Sequence, residues 1–169
     1  MLKFLGNWLE KNMAKTNEGF AAYRRGKELY FAFVNAHGTN DGVGAGDPAL
    51  EEAYELYLKA ERFAQDEGRY QGVAAVNAEL GKICELRGDY RQSIAHRRKA
   101  IETFEALPKV SDADSETIRD SYLYLAKSLS RCGETEEAKK TASAGMEKYR
   151  AANDPYGIGE LQKILDADE

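Results

Sequence analysis

Two stretches decide the fold: residues 77–107, NAELGKICELRGDYRQSIAHRRKAIETFEAL, and residues 122–149, YLYLAKSLSRCGETEEAKKTASAGMEKY. They align without a gap at an offset of 45 residues. Small side chains seven residues apart share one helix face and let a neighbouring helix approach closely, so the repeat predicts stacked antiparallel helix pairs. The matching pairs are Leu80 with Leu125, Gly81 with Ala126, Gly88 with Gly133, Ser93 with Ala138, and Ala100 with Gly145.

An earlier unit has the same spacing, because Ala53 and Ala60 are also seven residues apart. Asp47-Pro48 and Asp154-Pro155 are typical helix starts, in which aspartate caps the helix and proline takes the first turn. Pro108 should end a helix, and glycines between periodic segments should close others. With no sustained strand alternation, the sequence predicts an all-α chain of about seven helices. The predicted ranges are 17–36, 48–67, 70–87, 89–107, 112–132, 134–152 and 155–167.

Residues 78–81, Ala-Glu-Leu-Gly, and 88–90, Gly-Asp-Tyr, belong to a unit that resembles the tetratricopeptide repeat family. The resemblance implies a right-handed solenoid of about three helix pairs over residues 17–169, closed by a capping helix at 155–167. The repeats exceed the family's usual length of about 34 residues, so their helices should be longer. The sequence also departs from the family's aromatic positions, with Asn77 and Tyr122, Cys84 and Leu129, and Arg97 and Ala142 standing in their places.

In that family the opening helices line a concave groove that binds peptides or proteins, and the resemblance implies the same here. The family's two-carboxylate clamp is not matched, because Glu79, Asp120 and Tyr124 occupy its positions. Three cations in the groove would favour an acidic segment, opposed in part by Glu85. The implied partner-binding residues are Lys82, Glu85, Asp120, Leu123, Lys127 and Arg131, with Ala75 and Ala78 beside them.

Residues 1–16 form a second predicted unit, a basic amphipathic helix. Residues 1–27 carry six basic and two acidic side chains, or +4, so a net charge of −5 leaves −9 on the remainder. That balance disfavours nonspecific nucleic-acid binding by the body of the protein. The apolar face could cover an end of the solenoid or self-associate, dock on a partner, or lie on a membrane surface, with the membrane ranked last. Its docking residues are Phe4, Leu5, Trp8 and Leu9.

The chain offers few residues for chemistry. His37 and His96 lack metal-ligand spacing, and Cys84 and Cys132 are expected to be small buried hydrophobes rather than a redox pair. No catalytic, cofactor or metal site is expected. The glycine-rich segment 37–47 matches neither a phosphate loop nor a calcium loop and is expected to be a mobile connection. The basic stretch formed by Arg91 and residues 96–99 is expected to be a solvated helix face.

The predicted function is therefore a non-catalytic, cytoplasmic protein-interaction scaffold or adaptor that binds a peptide or protein segment in its groove. The alternative is a self-assembling or membrane-surface-recruited assembly factor that uses residues 1–16. A homo-oligomer is open, and no nucleic-acid partner is expected. The location follows from the poor match to a secretory signal and from the lack of an apolar run of about 18 residues.

Overall fold

The computed structural model describes residues 2–167, with side chains from residue 18 onward. All regular structure in that part of the chain is helical, which confirms the all-α prediction and the number of helices. Residues 2–16 and the helix predicted at 17–36 are not separated by a break, since one helix runs through both. The helices are α1 (Leu2–His37), α2 (Pro48–Asp66), α3 (Tyr70–Arg87), α4 (Tyr90–Glu105), α5 (Asp112–Arg131), α6 (Thr135–Ala151) and α7 (Pro155–Leu165).

Local capping explains why the helices begin and end where the sequence predicts. The Asp47 side chain accepts hydrogen bonds from the backbone N–H groups of Ala49 and Leu50, at 2.9 and 3.3 Å. Asp154 caps α7 in the same way. Ser111 and Asp114 form a capping box at the start of α5. Four of the helices are followed by a glycine with positive φ, at Gly38, Gly68, Gly88 and Gly133.

The helices pack in chain order, each against the next. Further packing joins α3 to α5 and α5 to α7, whereas no comparable packing joins α2 to α4 or α4 to α6 in the described part of the chain. In a curved stack of helix pairs, helices on the inner side approach one another and those on the outer side spread apart. The arrangement is therefore solenoid-like, with the odd-numbered helices on the inner side.

The small residues at the repeat positions lie in the packed interior, as predicted. Gly81 shows why size matters there, because a Cβ atom at this position would lie 2.7 Å from Nε of Arg97. The repeat spacing therefore marks the places where helices come closest. The buried small residues are Ala53, Ala60, Ser93, Ala100, Ala138 and Gly145.

The basic stretch in α4 is only partly a solvated face: Arg91 and Lys99 are exposed as expected, but the interpretation was wrong for Arg97. Arg97 is fully buried and forms a two-pronged ion pair with Glu85, with Nε–Oε1 and Nη2–Oε2 distances of 3.1 and 2.9 Å. The Ser93 hydroxyl donates to the same carboxylate at 2.8 Å. The guanidinium also stacks 5.0 Å from the ring centroid of Tyr124. Because α4 packs against both α3 and α5, the Arg97 side chain lies between helices.

His96, in the same stretch, belongs to a polar network that links α2, α3 and α4. Its Nε2 lies 3.0 Å from the Tyr54 hydroxyl, and its Nδ1 lies 2.9 Å from Oδ1 of Asn77. The Asn77 amide donates to Glu61 at 2.7 Å, and Lys99 donates to the same carboxylate. Burial lowers the pKa of His96. The network adds polar contacts to the apolar packing between the first and second helix pairs.

The glycine-rich segment is docked on the end of α3, where a mobile connection was expected. The N–H groups of Gly42 and Gly44 donate to the carbonyl oxygens of Glu85 and Leu86, at 3.0 and 2.8 Å. These are carbonyls of the last helical turn, which lack partners within the helix. The segment therefore closes the carboxyl end of α3.

Candidate functional site

The inner face, formed by the odd-numbered helices, is where the sequence places the groove. It combines half-buried tyrosines of α1 and α5 with charged side chains of α3, α5 and α7. The residues that define it are Tyr23 and Tyr30 of α1; Ala75, Glu79 and Lys82 of α3; Asp120, Tyr124 and Lys127 of α5; and Glu160 of α7.

The cations predicted to line the groove are present at its surface, but each has an acidic partner. Lys82 Nζ lies 3.1 Å from Oε1 of Glu79, one turn away on the same helix. Lys127 Nζ lies 2.7 Å from Oε2 of Glu160 on α7. Glu79 balances the charge of Lys82, whereas Glu160 is shared between Lys127 and Lys163. The pairs weaken the electrostatic argument for an acidic partner, which stays a prediction.

Arg131 is the third predicted cation, and it lies at the carboxyl end of α5. Its Nη2 is 3.5 Å from Oδ2 of Asp41, in the glycine-rich segment. Both side chains are exposed, so the pair contributes little to stability. Its position connects the glycine-rich segment, which is docked on α3, to the next inner helix.

Glu160 is a residue of this face that the sequence analysis did not predict. It accepts hydrogen bonds from Lys127 and from Lys163, and these bonds lower its pKa to about 2. The carboxylate therefore stays ionised at neutral pH and holds Lys127 in place. The spacing of Glu160 and Lys163 within α7 was visible in the sequence, but the packing of α7 on α5 was not.

Two of the predicted groove residues, Glu85 and Leu123, are not available to a partner. Glu85 is 8% exposed and is bonded to Arg97 and Ser93. Leu123 is 2% exposed and belongs to an apolar cluster that includes Met146 and Leu161. Ala78, which was placed beside them, is also buried. Helices in the middle of the stack contact neighbours on several sides. A groove predicted from one face of each helix therefore includes residues that packing buries.

The tyrosines form the most distinctive part of the inner face. Tyr30 is half-buried, and burial together with the negative charge of Glu79 raises its pKa to about 12. Burial and Glu79 also raise the pKa of Tyr23. Behind them Tyr57 is fully buried, and its hydroxyl has no hydrogen-bond partner among the described residues. Tyr124 of α5 completes the group, with Lys127 Nζ 5.5 Å from its ring centroid.

The helical spacing of Tyr23, Tyr30, Phe31 and Phe33 predicts core residues rather than a surface on which bases stack. Phe33 is buried in the core, and Tyr23 and Tyr30 pack against the same cluster. Phe31 differs, since 48% of it is exposed. The prediction therefore fails at Phe31.

The two cysteines and His37 are the other side chains that the sequence analysis considered for chemistry. Cys84 is buried, and burial raises the pKa of its thiol to about 12, whereas Cys132 is half-buried at the end of α5. His37 is exposed and lies against the ring of Phe33, with 4.8 Å between the centroids. Within residues 18–167 no group of histidine, cysteine and acidic side chains is arranged to hold a metal ion. Among the described residues no helix combines the length and apolarity needed to cross a bilayer.

The amino-terminal docking face lies outside the side chains that the structure describes. Phe4, Leu5, Trp8 and Leu9 belong to the first turns of α1, whose backbone is helical. Their role in end-covering, self-association, partner docking or membrane binding stays a prediction.

No protein-family model matches the chain, and no curated protein matches it either.

Proposed function

We propose that the chain is a non-catalytic interaction scaffold of the tetratricopeptide type, which binds an extended peptide segment along its inner face. The observation that carries the proposal is the set of half-buried tyrosines, Tyr23, Tyr30 and Tyr124, beside charge-paired side chains. Tyrosine is enriched in protein interfaces because its ring offers a large contact area and its hydroxyl can form hydrogen bonds. The order of helix packing supports the same conclusion, because it puts these residues on the inner side of the stack.

The charge pattern makes the preferred segment neutral or of mixed charge. Lys82 and Lys127 each have a carboxylate within 3.1 and 2.7 Å, so an incoming acidic group would compete with partners that are already in place. Charge then contributes to the register and selectivity of binding more than to its strength.

The test is selection of binding peptides from a displayed random library against the full chain, followed by affinity measurements on variants. Tyr30→Ala and Tyr124→Ala should each weaken binding of the selected peptides by about tenfold or more, as expected for central aromatic contacts. Tyr90→Ala is the matched control, because Tyr90 is a half-buried tyrosine on α4, away from the inner face. Equal affinities for all three variants would contradict the proposal, as would a library that yields no binder.

A charge-swapped variant tests whether the bound segment recognises the ion pair of Glu79 and Lys82. Glu79→Lys combined with Lys82→Glu keeps a pair of opposite charges three residues apart on α3. Helicity should be unchanged, and the selected peptides should lose affinity because the local field is reversed. Unchanged affinity would show that this pair lies outside the contact.

A second candidate function is recruitment of the protein, or its self-assembly, through α1. It is favoured by exposed Phe31, which shares a helix face with Arg24 and Lys27. Among the described residues no carboxylate pairs with either cation. Anionic vesicles should then sediment the protein while neutral vesicles do not, and Phe31→Ala should reduce the effect. Self-assembly would appear instead as a concentration-dependent elution volume in size-exclusion chromatography.

A further inference from the structure

A cleft lies between α1 and α3, where two inner helices fail to close on each other. Both helices pack against α2, but no comparable packing joins α1 to α3 in the described part of the chain. Between them is a cavity of about 290 Å³. The neighbouring inner helices, α3 and α5, are in direct contact, so the cleft belongs to the junction between the first and second helix pairs.

Small residues keep the cleft open. Gly72 and Ala75 line it from α3, and Ala60 and Ala64 line it from α2. A Cβ atom at Gly72 would lie 3.4 Å from the Cβ of Ala64, which is an ordinary contact. Side chains of medium size at these positions would fill the space, so the cavity follows directly from the sequence.

The lining is apolar and aromatic. Phe20 and Tyr23 line the cleft from α1, and Phe63 lines it from α2. Phe20 is 67% exposed, so an aromatic ring stands at the entrance. The charged lining residues, Glu67 and Arg69, lie 3.0 Å apart and form an ion pair with each other. A charged occupant would therefore gain little, and an uncharged apolar or aromatic group fits the lining best.

The cleft is continuous with the inner face. Tyr23 and Ala75 belong to both, and Glu79, four residues after Ala75, acts on the pKa of Tyr23. A segment that lies along the inner face would pass the entrance and could place one side chain inside.

We propose that the cleft between α1 and α3 is an anchor pocket that takes one aromatic side chain from the segment bound along the inner face. This inference rests on the proposed function and adds to it the residue type that sets the register of the segment. A single buried aromatic side chain in a fitted pocket commonly dominates the binding energy of an interface.

The direct test uses capped amino acids as probes and the amide signals of the full chain in nitrogen–proton correlation spectra. N-acetyl-tryptophanamide should shift the signals of Gly19, Phe20 and Gly72 in a saturable, millimolar titration. N-acetyl-lysinamide, the charged control, should leave them in place. No shift with the tryptophan probe, or equal shifts with both, would overturn the proposal. Stronger binding of 1-octanol would overturn it in favour of an acyl chain.

Pocket-filling variants test the same site from the protein side. Ala75→Trp should abolish the shifts of Gly19 and Phe20, whereas Ala95→Trp, at an exposed position on α4, should preserve them. Circular dichroism verifies folding, and Gly72→Leu is a second filling variant should the first not fold. Retained binding in a folded, filled variant would contradict the proposal.

Peptides selected against the inner face separate this inference from the proposed function. If they bind through Tyr30 and Tyr124 but carry no aromatic residue, or tolerate Ala75→Trp, the anchor pocket is wrong and the scaffold function stands. If the tryptophan probe binds in the cleft but no peptide depends on Tyr30 or Tyr124, the cleft is an apolar site and the scaffold function is wrong.

Discussion

Arg97 shows how far a single residue can depart from the expectation that its type suggests. It occupies a position that is phenylalanine in the family that the repeats resemble, and it is fully buried. Its charge is tolerated because Glu85 compensates it through two hydrogen bonds and Tyr124 stacks on the guanidinium. A buried ion pair of this kind is costly to break, although it adds little net stability over apolar packing.

Arg97→Met should therefore destabilise the fold by ~3–5 kcal/mol, because it leaves the Glu85 carboxylate buried without its cation. Adding Glu85→Met should recover most of that loss, since both charges are then gone. Urea unfolding of the two single variants and the double variant measures the coupling. A double variant that is as unstable as the sum of the singles would show that the pair is not coupled.

Ala100 is fully buried at a repeat position, so a large side chain cannot be accommodated there. Ala100→Phe should overpack the contact and cost ~1–3 kcal/mol. Ala95→Phe is the control on the same helix, because Ala95 is exposed, and it should change stability by less than about 0.5 kcal/mol. Equal urea midpoints for the two variants would contradict the register of α4.

His96 should make the free energy of unfolding depend on pH, because its polar network joins the first two helix pairs. Burial lowers its pKa below the ordinary value of 6.5, and the positive charges of Lys99 and Arg97 add to that effect, while Glu61 and Asp89 oppose it. The folded state then binds the proton more weakly than the unfolded state. The contribution is complete above pH 6.5 and is lost as the pH falls through the lowered pKa.

The measurement compares urea unfolding at pH 7.5 and at mildly acidic pH for the wild type and for His96→Gln. The wild type should lose stability on acidification, and the variant should lose less. His37→Gln serves as the control, because it removes an exposed histidine. An identical pH dependence in His96→Gln and the wild type would exclude this role for His96.

At the scale of the element, the sequence predicts helices well because their ends are local events. Asp47, Asp154 and the glycines after α3 and α5 each act within a few residues, so the predicted and observed limits agree closely. Burial is different, because it depends on which helices meet. Glu85 and Leu123 were placed in the groove, and the packing of α3 and α5 buries them. Glu160 was missed because the packing of α7 on α5, which brings it to the inner face, was not visible in the sequence.

α1 is the element whose function can be tested most directly, because Trp8 is the sole tryptophan of the chain. If the apolar face of residues 1–16 is covered by the stack or by another chain, Trp8 emission should be blue-shifted without lipid and should move to the red on mild denaturation. If that face binds membranes, emission should be water-like until anionic vesicles are added. A water-like spectrum that vesicles do not change would contradict both roles.

At the scale of the whole molecule, each helix pair depends mainly on its neighbours, because packing follows chain order. Stability in such a stack is approximately a sum of local terms and neighbour interfaces. The charged and aromatic inner face spans four helices, so its geometry depends on every interface in the series. The sequence predicted this face as a set of positions on α3 and α5. The contributions of α1 and α7 emerged only from the packing.

Leu161 provides the test of this view, because it is fully buried and joins α7 to the cluster formed by α5 and α6. Leu161→Ala should cost ~2–5 kcal/mol, since it leaves a cavity in that cluster. In a stack with neighbour coupling, amide exchange should accelerate strongly in α5, α6 and α7 and much less in α2. Leu80→Ala, a buried leucine of α3 in the cluster shared with α1 and α2, is the matched control and should produce the reverse gradient. Uniform acceleration in both variants would show that the protein unfolds as one cooperative unit instead.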